Sequence, residues 1–213
     1  MPRQMKNAEY RLQQCAKKFD YPIGPINQLV CELNENNELK VPFVAPIYGG
    51  VNARMLSIMR DPGPMADEQK GSGFIGMEND DPTAERLCNL CERHLQVSDL
   101  MLWNSYPWYI NSIPKVAQLK AGLEPLKRLL DLLPNLRVIM LHGVVTKDSW
   151  KFFGEAYPEY LAERNFEVIA TYHTSNQAFI HKDPAVRAKR KQNLEDAYAQ
   201  AAEILQRLKG DVK

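Results

Sequence analysis

Apolar and polar positions along the chain follow two periods in turn. Residues 7–19 and 24–35 carry apolar side chains at helical spacing, the second stretch with Ile26, Leu29, Val30 and Leu33 on one face, and they predict a helical cap over residues 1–40. After the extended VPFVAP, a short apolar run at Met55–Met59 (MLSIM) is closed by the turn-forming RDPGP and predicts the first core strand. Residues 60–81 then form a loop too long for a passive connection and are expected to bind something. Asp81 in a capping position and Pro82 in the first turn start a helix that runs to Leu95. The alternation continues with a strand at Asp99–Trp103, a helix at about 115–132 and a strand at Arg137–Leu141. A helical stretch at about 146–163, a strand at Glu167–Thr171 and a final helix at about 184–208 complete it.

Four short apolar strands alternating with helices predict a single α/β domain over 1–213, a three-layer α/β/α sandwich around a mostly parallel four-stranded central sheet. In such sheets ligands bind beyond the carboxyl ends of the strands. The residues at those ends are Arg60-Asp61-Pro62-Gly63, Asn104, His142-Gly143 and Tyr172-His173-Thr174-Ser175.

Composition narrows the picture. With 45% hydrophobic and 25% charged residues the chain can bury a core, which excludes wholesale disorder. No run reaches the roughly eighteen apolar residues of a membrane span, and the polar start is unlike a signal peptide, so a cytoplasmic monomer without a membrane partner is expected. The 27 basic and 26 acidic side chains give a net charge of +1, but they are unevenly spread: residues 61–100 hold three basic against nine acidic, and 181–213 eight against five. A polyanionic partner would therefore meet the C-terminal segment. Cys88 and Cys91 lie on one face of a predicted helix and read as core thiols. His94, His142 and His181 read as structural or surface residues, and no zinc spacing occurs.

The order of the chemical residues carries more. MRDPGP, then SGF, then LMLWN, then YHTS resembles the motif series of the uracil-DNA glycosylase superfamily, over about Val41 to Phe179. The resemblance implies a monofunctional DNA glycosylase that flips out a uracil or C5-modified pyrimidine, hydrolyses its glycosidic bond and leaves an abasic site, with no metal or other cofactor. It implies that Asp61 orients the water and steadies charge on the sugar, that Phe74 stacks on the base, that Asn104 reads its Watson–Crick edge, and that His173 bonds the pyrimidine O2 as the base leaves. Arg60 and Gly63 would border the base. Ser175 would bind a phosphate, and of Gln177, Ala178 and Phe179 the aromatic Phe179 is the expected wedge in the vacated stack. Asn79 would approach from the same loop as Phe74. Arg187, Lys189, Arg190 and Lys191 would grip phosphates. Some relatives hold an iron–sulfur cluster on four cysteines, but Cys15, Cys31, Cys88 and Cys91 do not follow their spacing.

Three departures stand out: Met59-Arg60 in place of a Gly-led start, Thr174 where a Pro is usual, and Gly63 where the most uracil-selective branch has a Tyr that blocks C5 substituents. The last opens a rival substrate, bulky hydroxymethylated or glucosylated cytosine of phage DNA, removed in antiviral defence rather than repair. Other classes stay open: a non-catalytic binder of damaged or single-stranded DNA, and a small-molecule hydrolase. Each residue also has a plainer reading. Asp61 could start a turn, Asn104 cap the next segment, Phe74 anchor its loop, and His173 sit satisfied in the core.

Overall fold

The computed structural model describes residues 2–35 and 37–210. The helices are α1 (Ala8–Lys17), α2 (Gly24–Asn34), α3 (Pro82–His94), α4 (Val116–Ala121), α5 (Leu123–Asp131), α6 (Val144–Ala156), α7 (Pro158–Arg164) and α8 (Pro184–Gly210). The strands are β1 (Phe43–Val44), β2 (Met55–Met59), β3 (Phe74–Ile75), β4 (Leu100–Asn104), β5 (Val138–His142) and β6 (Glu167–Thr171). β2, β4, β5 and β6 form one all-parallel sheet in the order β4-β2-β5-β6, and β1 pairs with β3 in a separate parallel ladder.

Every residue of β2, β4 and β5 is buried, as parallel strands covered on both faces require. β6, at one edge, is largely exposed. α8 packs on β5, β6 and α3, whereas α6 packs on β5 and on α4, α5 and α7. This α/β arrangement is compatible with three layers. No helix among the described residues is long and apolar enough to cross a membrane.

Two predicted helices prove to be pairs. The helix expected at 115–132 is interrupted at Gly122, where a Cβ would stand 2.0 Å from the Ser105 carbonyl oxygen; the chain presses there against the end of β4. The stretch at 146–163 breaks at Tyr157-Pro158, because proline offers no N–H to continue α6. Asp81 caps α3 as expected, accepting from the Thr83 and Ala84 N–H groups at 2.8 and 2.9 Å.

The N-terminal cap is tied down by one side chain. Asn27 is fully buried in α2; its Nδ2 donates to the Lys18 and Val44 carbonyls at 2.7 and 3.0 Å, and its Oδ1 accepts from the Val44 N–H at 2.8 Å. Asn27→Leu fits by size but strands these backbone groups without partners. A loss of about 2–4 kcal/mol is expected, read as a lower urea midpoint with an unchanged slope.

Candidate functional site

Because all four strands of the sheet run the same way, their carboxyl ends lie side by side. Met59, the last residue of β2, is in register with Asn104, the last of β4, and His142 with Thr171 across β5 and β6. The ladder between β2 and β4 extends into the loops, with the Ser105 N–H donating to the Met59 carbonyl at 2.8 Å and the Tyr106 N–H to the Arg60 carbonyl at 3.1 Å. The backbone of Arg60 is thereby fixed beside the end of β4.

Asp61 has a side chain only 5% accessible, paired with the Arg60 guanidinium through Nε. Burial pushes its carboxyl above the ordinary range, and Arg60 pulls it back down. Asn104 is buried, and its Oδ1 has no hydrogen-bond partner among the described residues; the hydroxyls of Ser105 and Thr174 at the same sheet end are likewise buried and unpartnered there. Buried polar atoms without partners are costly, and all three belong to the carboxyl end of the sheet. A residue capping the next segment would accept on Oδ1, and that oxygen accepts no such bond among the described residues.

His173 accepts the Ser175 N–H on Nδ1 at 3.0 Å, so the neutral ring carries its proton on Nε2. Burial, and then the nearby Arg60, lower its pKa to about 4, which keeps it neutral at physiological pH. His142, read from the sequence as structural or surface, is a buried histidine held by its own hydrogen bonds. Its Nδ1 donates to the Tyr172 carbonyl at 3.3 Å, its Nε2 accepts from the Ser57 hydroxyl at 2.8 Å, and the Tyr198 hydroxyl lies 3.4 Å away. Burial, and then His173, bring its pKa down to about 3. Gly143 beside it has φ +89°, and a Cβ there would lie 3.6 Å from that of His173.

The loop residues are placed differently from one another. Phe74 is 1% exposed, in β3, with its ring 6.3 Å from that of Phe43. It is thus an interior ring that anchors the loop rather than an open platform. Asn79 donates to the Phe74 carbonyl at 2.8 Å and accepts from the Ser72 hydroxyl at 2.6 Å, and so pins β3. Gly63 has extended backbone, and a Cβ built on it meets nothing within 4 Å.

The segment after His173 corrects one expectation. Phe179 is buried, with the Arg86 guanidinium 4.8 Å over its ring, so it does not project as a wedge. Gln177 is exposed, and the exposed apolar side chain of the segment is Ile180, 73% accessible. Arg86 of α3, for which the sequence carries no local signal, donates to the Thr174 carbonyl and, at 2.8 Å, to Asn176 Oδ1. From α8, Arg190 donates to the Ala178 carbonyl at 2.9 Å and Arg187 to the His181 carbonyl at 2.7 Å, while Lys189 and Lys191 are exposed. Among the described residues the hydrogen bonds of these three arginines go to neutral oxygens, and Arg86 also feels the Glu85 carboxylate next to it in sequence. A cleft of about 470 Å³ between α3 and α8, lined by Arg86, Asn89, Phe179 and Lys191 among others, flanks this segment but includes none of Asp61, Asn104 or His173.

Cys88 and Cys91 are buried with thiols pushed up chiefly by burial, while Cys15 is exposed. Among the described residues no three Cys, His, Asp or Glu side chains gather to hold a metal ion, so the four cysteines do not fit an iron–sulfur cluster. Compared with known proteins, the chain matches no family model and no curated protein.

Proposed function

We propose that the chain is a monofunctional DNA glycosylase with the three-layer fold of the uracil-DNA glycosylase superfamily. One observation carries the reading: the carboxyl end of a single parallel sheet offers a buried carboxylate, an amide whose oxygen has no partner among the described residues, and a neutral histidine whose proton sits on Nε2.

In this mechanism the nucleotide leaves the stack, since its sugar carbon is out of reach inside a duplex. Asn104 pairs with the edge of the extruded pyrimidine. Asp61 orients a water toward the anomeric carbon and steadies positive charge on the sugar. The bond from that carbon to the pyrimidine nitrogen breaks and its electron pair departs with the base. Negative charge gathered on O2 accepts the hydrogen bond from His173 Nε2. The water oxygen bonds to the sugar, its proton passes by way of Asp61, and the base is finally protonated. No lysine adjoins the strand-end motifs, so no Schiff base and no strand cleavage are expected.

The arginine-held segment 174–182 is the proposed contact with the DNA backbone, and Ile180 takes the wedge position first expected of Phe179. The open space at Gly63 favours a second reading in the same class, in which the base is a cytosine with a bulky C5 group, removed from phage DNA.

Incubation with a panel of duplex and single-stranded oligonucleotides, each holding one modified pyrimidine, tests both. Mass spectrometry should identify one released free base and an alkali-labile site. Tight binding of abasic DNA with no release in single turnover would establish the non-catalytic binder instead. Cleavage of free nucleosides alone would point to a small-molecule hydrolase.

A further inference from the structure

Asp61 and His173 make opposite electrostatic demands in this mechanism. The water-orienting acid must be charged, and the histidine must be neutral so that it gains, rather than already holds, its compensating interaction. Burial serves only one of them, since removal from water favours the neutral form of both. A fixed cation beside the pair serves both, and a neutral side chain serves neither.

Arg60 is paired with Asp61, and its charge also acts on His173. It follows β2 directly, its backbone is held by the Tyr106 N–H, and its Nε donates to Asp61 Oδ1. Its side chain is 35% accessible against 5% for the carboxylate, so the guanidinium covers Asp61 from the solvent side. We propose that Arg60 is a positioning residue whose permanent charge holds Asp61 ionised and His173 neutral at the same pH. The activity arm of this inference rests on the glycosylase reading; the charge coupling does not.

The charged and titratable groups that bear on His173 and its loop are Arg60 from the loop after β2, His142 from β5, Arg86 from α3 acting at the Thr174 carbonyl, and Arg190 from α8, 5.5 Å over the Tyr172 ring. His142 is neutral, and the two arginines are untouched by substitution at 60, so a change there isolates Arg60. The Arg60 guanidinium acts in the same sense on both, lowering His173 and Asp61.

The test compares Arg60→Gln and Arg60→Lys with the unaltered full-length protein, each checked for an unchanged urea midpoint. Histidine-labelled protein without DNA is titrated by NMR. In Arg60→Gln the His173 midpoint should rise by about one pH unit, and Arg60→Lys should keep it near the original. Protonation of either Asp61 or His173 abolishes function, so raising both midpoints should move the acid limb of base release toward neutrality in Arg60→Gln only. An unmoved His173 midpoint in Arg60→Gln overturns the proposal. A moved midpoint in a protein that releases no base from any oligonucleotide upholds the coupling and overturns the glycosylase reading.

Discussion

Replacing His173 with alanine is expected to slow base release in a single turnover by about 10²–10³-fold, the loss that follows removal of one donor to a developing oxyanion. DNA affinity should change by only a few fold, because the ring's donor acts on charge that exists only as the bond breaks. Geometry makes the side chain's contribution specific. The Ser175 N–H occupies Nδ1, leaving Nε2–H as the one donor, and a ring with its pKa near 4 has not already taken up a second proton. Asp61→Asn should lose activity on a similar scale while preserving shape, since an amide orients a water but cannot hold its proton. Single-turnover rates beside binding isotherms decide the matter. A His173→Ala protein with weakened binding and an undiminished rate constant would remove His173 from the chemistry.

Filling the space at Gly63 should have the next largest effect. Gly63 has φ −76° and ψ 165°, a conformation open to any residue, and nothing lies within 4 Å of its added Cβ. Gly63→Tyr is therefore expected to leave stability within about 0.5 kcal/mol. Its ring would stand where a C5 substituent must go, and rejection by clash is steep. Release of a glucosylated or hydroxymethylated cytosine should fall by about 10²-fold or more, whereas uracil release should stay within a few fold. Equal losses on small and bulky bases would show that position 63 does not border the C5 edge.

Much of this architecture is legible in the chain because its strands are short, wholly apolar and bounded by turn residues. MLSIM before RDPGP has no competing reading, and β2 spans that segment. Asp81-Pro82 likewise states a helix start in local chemistry alone. The β1–β3 ladder is two residues long, too short to show any alternation. The break at Gly122 reflects pressure from the Ser105 carbonyl, a neighbour only in space. The same holds within the site. Arg60, Asp61, Asn104 and His173 lie at or just past strand ends and could be found by position, but Arg86 stands 88 residues from the carbonyl it holds. Phe179 turns inward because a guanidinium covers it, which no hydropathy pattern encodes.

The strand order β4-β2-β5-β6 also has a kinetic meaning. β2 sits inside the sheet and pairs with strands that follow it by some 45 and 83 residues in register, while His173 comes only with β6, at the sheet's margin. The loop carrying it is held from α8, whose own far end is tied to Arg54 before β2 by a bond from Nη1 to the Leu205 carbonyl at 2.9 Å. Such long closures are slow relative to local helix formation. Asp61, Asn104 and His173 thus come to one sheet end only when β6 and α8 dock, so the proposed site is completed late in folding.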